Sequence, residues 1–111
     1  MTSTDVLERL AATIKARRVA AADTSYTRQL LDAGAEKCAK KFGEEAVEAV
    51  LAAVGQDAGH LKAEAADVLY HLLVLLECRG VALADVLSTL ESRMGTSGLD
   101  EKSARPKGPN P

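Results

Sequence analysis

Four acids carry the chemistry that this chain can do. Glu45 and Glu48 stand three residues apart in "KKFGEEAVEAV" (40–50), and Glu64 and Asp67 repeat that spacing in "EAADVLYHLLVLL" (64–76). Residues three apart share a helix face, so each pair presents two carboxylates together. Carboxylates converging on one seam repel unless something neutralises them. A divalent cation does this, and hard oxygen ligands suit magnesium, with manganese as the other candidate, better than zinc. Magnesium is bound through a few carboxylates plus substrate phosphates. That points to a phosphate-bearing substrate. Lys37 and Lys41 would complement its remaining negative charge, and Lys40 adjoins them. A charged helix face laced with i, i+4 Glu–Lys pairs is the competing explanation for any one pair. Two such pairs on neighbouring helices, each beside apolar positions, are harder to explain that way, and the pattern alone leaves both readings open.

Other residues add less. His71 follows Asp67 by one turn, a spacing that allows an Asp–His hydrogen bond supporting a metal ligand. Glu44 borders the same edge. Tyr70 is expected to pack at the margin with its hydroxyl at the surface. His60 is expected at the turn before its helix. "TSYT" (24–27) offers hydroxyls but pairs none of them with a base, so no covalent nucleophile is assigned.

The elements that must position these groups are helical. Residues 5–18 read as a first helix, with Leu7, Leu10, Ala11 and Ile14 on one face and Asp5 with Glu8 in capping-box spacing. "RRVAAADTS" (17–25) is a connector. Ser25 opens a short helix, "YTRQLLDAG", which Gly34 ends. A third helix spans about 35–54 before Gly55, and "GQDAG" (55–59) is a turn. A fourth spans about 60–79 before Gly80, and a fifth about 83–93, with Val86, Leu87 and Leu90 inward. No segment has strand periodicity, so the fold class is all-α. The short turn makes the third and fourth helices an antiparallel hairpin.

Each helix advances 100° per residue. With Glu45 at 0°, Cys38, Phe42, Ala46, Ala49, Val50 and Ala53 fall between roughly 20° and 140°, the expected core stripe of the third helix. With Glu64 at 0°, Leu61, Ala65, Val68, Leu72 and Leu76 fall between roughly 40° and 120°. Both acids border their stripes. "VLYHLLVLL" (68–76) is apolar almost all round and needs cover on both sides. A chain of 111 residues favours meeting that need with a second copy, most simply a symmetric homodimer.

Composition narrows the function classes. The net charge is −2 and aromatics make up 3% of the chain, so neither the basic field nor the stacking platforms of nucleic-acid binders are present. The longest apolar run is about half a membrane span. The N-terminal residues lack a signal-peptide pattern, so the cytoplasm is the expected location. Cys38 and Cys78 match no zinc spacing and read as reduced, mostly buried thiols. One domain over 1–94 is expected. Residues 95–111, rich in Gly, Ser and Pro, read as a disordered tail.

"SYTRQLLDAGAEKCAKKFGEEAVEAVLAA" (25–53), followed by "EAADVLYHLLVLLECRGVALADVLSTLESR" (64–93), resembles the phosphoribosyl-ATP pyrophosphatase family of the all-α nucleotide pyrophosphohydrolase (MazG-like) superfamily. The resemblance covers about 5–94. The superfamily's ExxE…ExxD pattern falls on Glu45, Glu48, Glu64 and Asp67. It implies a magnesium-dependent, cytoplasmic, dimeric enzyme that hydrolyses phosphoribosyl-ATP to phosphoribosyl-AMP and pyrophosphate in histidine biosynthesis. The four acids would hold the metal, and one of them, Glu45 or Glu48 among the candidates, would take the proton of the attacking water. Lys37, Lys40 and Lys41 would meet phosphates. No cyclohydrolase domain of the kind often fused to this activity is seen, so that step is expected of a separate protein. Two other readings remain: a housecleaning hydrolase of noncanonical nucleoside triphosphates, and a non-enzymatic helical dimer with a solvated acidic surface.

Overall fold

The structure, a computed structural model, describes residues 5–22, 24–55 and 57–94. The tail expected over 95–111 lies outside the described residues. The described chain is all-α. Its helices are α1 (Asp5–Ala16), α2 (Tyr26–Ala33), α3 (Ala35–Gly55), α4 (Ala58–Cys78) and α5 (Leu83–Arg93), with a short 3-10 turn at Arg17–Val19 after α1. That tighter turn ends α1 two residues before the expected boundary.

Local chemistry sets each end. The Ser25 hydroxyl accepts the Arg28 N–H at 3.1 Å and so starts α2. Asp57 does the same for α4, accepting the His60 N–H at 2.8 Å, so α4 begins two residues earlier than the apolar pattern suggested. At its other end, Val81 N donates to Leu76 O at 2.9 Å and Gly80 N to Glu77 O at 3.1 Å. Gly80 has φ +72°. This paired geometry closes the last turn of α4 around a left-handed residue. Arg18 reaches over from the 3-10 turn, donating to the Glu77 carboxylate and, at 2.6 Å, to the Glu77 carbonyl.

Gly34 separates α2 from α3 with φ +99° and ψ 177°, and a Cβ there would meet nothing within 4 Å. That backbone region is almost exclusive to glycine, so the cost of a side chain is conformational rather than steric. Gly34→Ala is expected to destabilise the fold by about 1–3 kcal/mol, read as a lower urea midpoint with an unchanged m-value.

α3 and α4 form the long antiparallel hairpin, each of 21 residues. The buried core lies toward its open end, where Ile14, Leu30, Leu31, Cys38, Leu73 and Val74 bring α1, α2, α3 and α4 together. The Cys38 thiol donates to Leu30 O at 3.2 Å. Burial, reinforced by the neighbouring Cys78 thiol, pushes its pKa up to about 11. At pH 8 Cys38 is therefore a protonated thiol, whereas Cys78 is only half-buried. Native protein is expected to consume one equivalent of a thiol reagent quickly, at Cys78, and the second only on unfolding.

The core does not follow the expected stripes. On α3, Cys38 and Ala52 are buried, Phe42, Ala46 and Ala49 are half-buried, but Val50 and Ala53 are exposed. The covered arc thus takes in Glu45 itself and is turned toward it by roughly 40° from expectation. A second apolar arc, Val47, Val50, Leu51 and Val54, faces away from the core at 56–82% exposure. On α4 the expected stripe is covered in part: Val68, Leu72 and Leu76 are half-buried, Leu61 and Leu69 are 37% and 44% exposed, and burial also reaches His71 and Val74 on the acid side and Leu73 opposite. On α5, Val86 is half-buried, and Leu87 and Leu90 are exposed rather than inward.

Candidate metal centre

The turn of α3 places Glu45 inside the seam rather than at its border. Glu45 on α3 meets Glu64 and Asp67, one turn apart on α4. One carboxylate oxygen from each lies within 4.8 Å of the others. Glu45 and Glu64 are half-buried and Asp67 is exposed, so the cluster opens to solvent on one side.

Two histidines flank it. His60 Nε2 lies 3.4 Å from Glu64 Oε1, one turn earlier on α4. The other Glu64 oxygen, Oε2, is buried with no hydrogen-bond partner. A buried carboxylate oxygen normally finds a partner, because leaving it unpaired costs the desolvation it suffered. The oxygen-only donor set and this unpaired atom fit a hard divalent cation. His71 is buried, and its Nε2 lies 3.9 Å from Glu45 Oε1. Its acidic neighbour is therefore across the seam, and not only Asp67 on its own helix. Burial lowers the His71 pKa; the Glu45 carboxylate opposes that shift and the Lys41 ammonium adds to it. His71 is thus held neutral, a state suited to orienting a carboxylate without competing with a cation.

Glu48 and the basic residues stand apart. Glu48 is exposed and outside the close cluster. Lys37 and Lys40 are exposed on α3. Lys41 is half-buried and sits 3.3 Å from Glu44 Oε1, and that contact raises its pKa. Glu44 thus pairs with a lysine rather than with the acid cluster.

The sequence pattern missed the part played by α2. Tyr70 does not end at the surface: it is half-buried, and its hydroxyl shares a 2.5 Å hydrogen bond with Thr27 Oγ1. Tyr26 packs edge-on to the His71 ring at 6.2 Å between centroids, and Tyr70 does so at 4.9 Å. The hydroxyl run "TSYT" was the available signal, but periodicity cannot place α2 beside α4.

Known proteins are similar to this chain over most of its length. The chain is 61% identical over 100 residues to a phosphoribosyl-ATP pyrophosphatase of Cereibacter sphaeroides (strain ATCC 17029 / ATH 2.4.9), covering 90% of this chain and 97% of that protein. It is 58% identical over 103 residues to the enzyme of that name from Ruegeria pomeroyi, covering 93% and 98%. It is 60% identical over 96 residues to phosphoribosyl-ATP pyrophosphatase 1 of Bradyrhizobium diazoefficiens, covering 86% and 91%. Residues 7–94, which include every helix turn of the acid cluster, match the family described as phosphoribosyl-ATP pyrophosphohydrolase, and the chain belongs to that family.

Proposed function

We propose that this enzyme hydrolyses phosphoribosyl-ATP to phosphoribosyl-AMP and pyrophosphate with the help of magnesium. The observation that carries the reading is the convergence of Glu45, Glu64 and Asp67, with a buried Glu64 oxygen left unpaired, in a chain about 60% identical to proteins bearing that enzyme's name. Glu45, Glu64 and Asp67 would hold the cation; manganese suits the same oxygens. When bound, the metal neutralises phosphate charge and makes a water more acidic.

The protein's own groups account for the rest. Glu48 follows Glu45 by one turn and stays outside the cluster, so its basicity is not spent on a cation. It is the carboxylate we assign to take the proton of the water attacking the α–β anhydride, with Glu45 the alternative. Lys37, Lys40 and Lys41 line α3 and would meet the triphosphate. His71 and Glu44 support Glu45 and Lys41 respectively. Pyrophosphate leaves as the water oxygen bonds to phosphorus.

The outward apolar arc of α3, continued by Leu61 and Leu69 on α4, is the surface on which we place a second copy of the chain. No helix among the described residues is long and apolar enough to cross a membrane, and we place the reaction in the cytoplasm.

The test is pyrophosphate release from phosphoribosyl-ATP, with and without magnesium, beside ordinary and noncanonical nucleoside triphosphates. Magnesium-dependent release from phosphoribosyl-ATP alone is expected. Release only from the other triphosphates moves the protein to the housecleaning branch. No release from any of them returns the acids to a solvated surface.

A further inference from the structure

The first turn of α2 is tied to the acid cluster by contacts that packing alone does not require. Thr27 and Tyr70, 43 residues apart in the chain, share a 2.5 Å hydrogen bond. Tyr70 and Tyr26 both meet the buried His71 ring in T-shaped geometry, at interplanar angles of 78° and 87°. His71 Nε2 in turn faces Glu45 Oε1 at 3.9 Å. The order Thr27–Tyr70–His71–Glu45 runs from a helix outside the hairpin to a carboxylate of the cluster. α2 is itself anchored, because Ser25 caps it and Arg28 donates to Ala20 O at 2.5 Å.

We infer that the Thr27–Tyr70 hydrogen bond is a latch that fixes the His71 ring against Glu45, making Tyr70 and Thr27 positioning residues for the metal-binding carboxylates. A buried aromatic ring packed against two others has few orientations left, and a neighbouring carboxylate takes its own orientation from what it faces. Without the latch, Tyr70 can turn its ring, His71 loses one wall, and Glu45 samples positions that do not meet Glu64 and Asp67. None of these steps needs the latch hydroxyls to touch substrate. The inference rests on the metal reading proposed above, but its geometric half does not.

Two measurements on the full chain test it. The first is metal-free: the His71 ring resonances are followed by NMR in wild type, Tyr70→Phe and Thr27→Val. Loss of either hydroxyl is expected to shift and broaden them while the far-UV circular dichroism stays unchanged. Unmoved His71 resonances would overturn the latch whatever the metal does. The second is calorimetric titration with manganese chloride alone. Removing a group that orients a ligand typically weakens metal binding about 10–100-fold. Tyr70→Phe and Thr27→Val are each expected at the lower end of that range. The double variant should be no weaker than either single, and Thr27→Ser should bind as wild type does. Additive losses, or a Thr27→Ser as weak as Thr27→Val, would show a general packing role and overturn the inference. Failure of the wild type itself to bind manganese would overturn the metal reading and the latch's consequence, while the NMR result still judges the latch. Wild-type binding with unaffected variants would overturn the latch alone.

Discussion

Glu64→Gln is expected to lower magnesium-dependent turnover of phosphoribosyl-ATP by at least about a hundredfold, with helix content and oligomeric state unchanged. Outer groups that merely orient metal ligands are typically worth about 10–100-fold, so a residue placed to bind directly sets a larger loss. Glu64 is the sharpest choice among the acids because its Oε2 is buried and unpaired. The amide keeps the shape and one acceptor oxygen but removes the charge the cation needs. It also turns an unsatisfied acceptor into a donor or acceptor with no better partner, so the folded protein loses little. Steady-state kinetics over a magnesium titration checks this. The metal's apparent affinity should fall along with kcat, and high magnesium should recover part of the rate. Asp67→Asn and Glu45→Gln are expected to behave alike. Glu48→Gln should lower kcat and leave the magnesium dependence as it was, because Glu48 lies outside the cluster. Full activity in Glu64→Gln would remove the metal site from the mechanism.

Val47→Lys is expected to convert a dimer into a monomer at micromolar concentration. Val47 lies in the middle of the outward arc, between Val50, Leu51 and Val54, and is 58% exposed in the single chain. A lysine there costs the isolated fold little, since exposed substitutions usually change stability by only about 0.5 kcal/mol either way. In a symmetric dimer the same change buries an unpaired charge twice. A total loss of about 3 kcal/mol corresponds to roughly a hundredfold weaker dimer. Sedimentation velocity over a concentration series, with circular dichroism as the check on folding, reads the effect. A wild-type protein that sediments as a monomer, or a Val47→Lys protein that stays dimeric, would take the second copy off this face.

Much of the architecture is legible in the sequence. Ser25, Gly34 and Gly80 act through their own backbone and side-chain chemistry, so the boundaries they set were readable residue by residue. The same holds for the all-α class and for the α3–α4 hairpin, because apolar periodicity and a short turn are properties of the local chain. The pairing of Glu64 with Asp67 was legible as well, since residues three apart on one helix meet wherever that helix packs. The resemblance carried by "KKFGEEAVE" and "EAADVLYHLLVLL" pointed to the family that the comparison with its relatives then established.

The tertiary structure decided which way α3 turned. α3 carries two apolar arcs, and composition cannot say which one the chain covers itself. The fold covers the arc that includes Glu45 and leaves Val47, Val50, Leu51 and Val54 outside. A turn of roughly 40° about the helix axis is enough to bring Glu45 to Glu64 and Asp67 and to leave Glu48 exposed. Nor could periodicity show that Tyr70 meets Thr27, or that His71 faces Glu45, because both contacts join separate helices. The sequence by itself determined which acids share a face. Packing between helices, which depends on shapes distant along the chain, determined which of those acids meet.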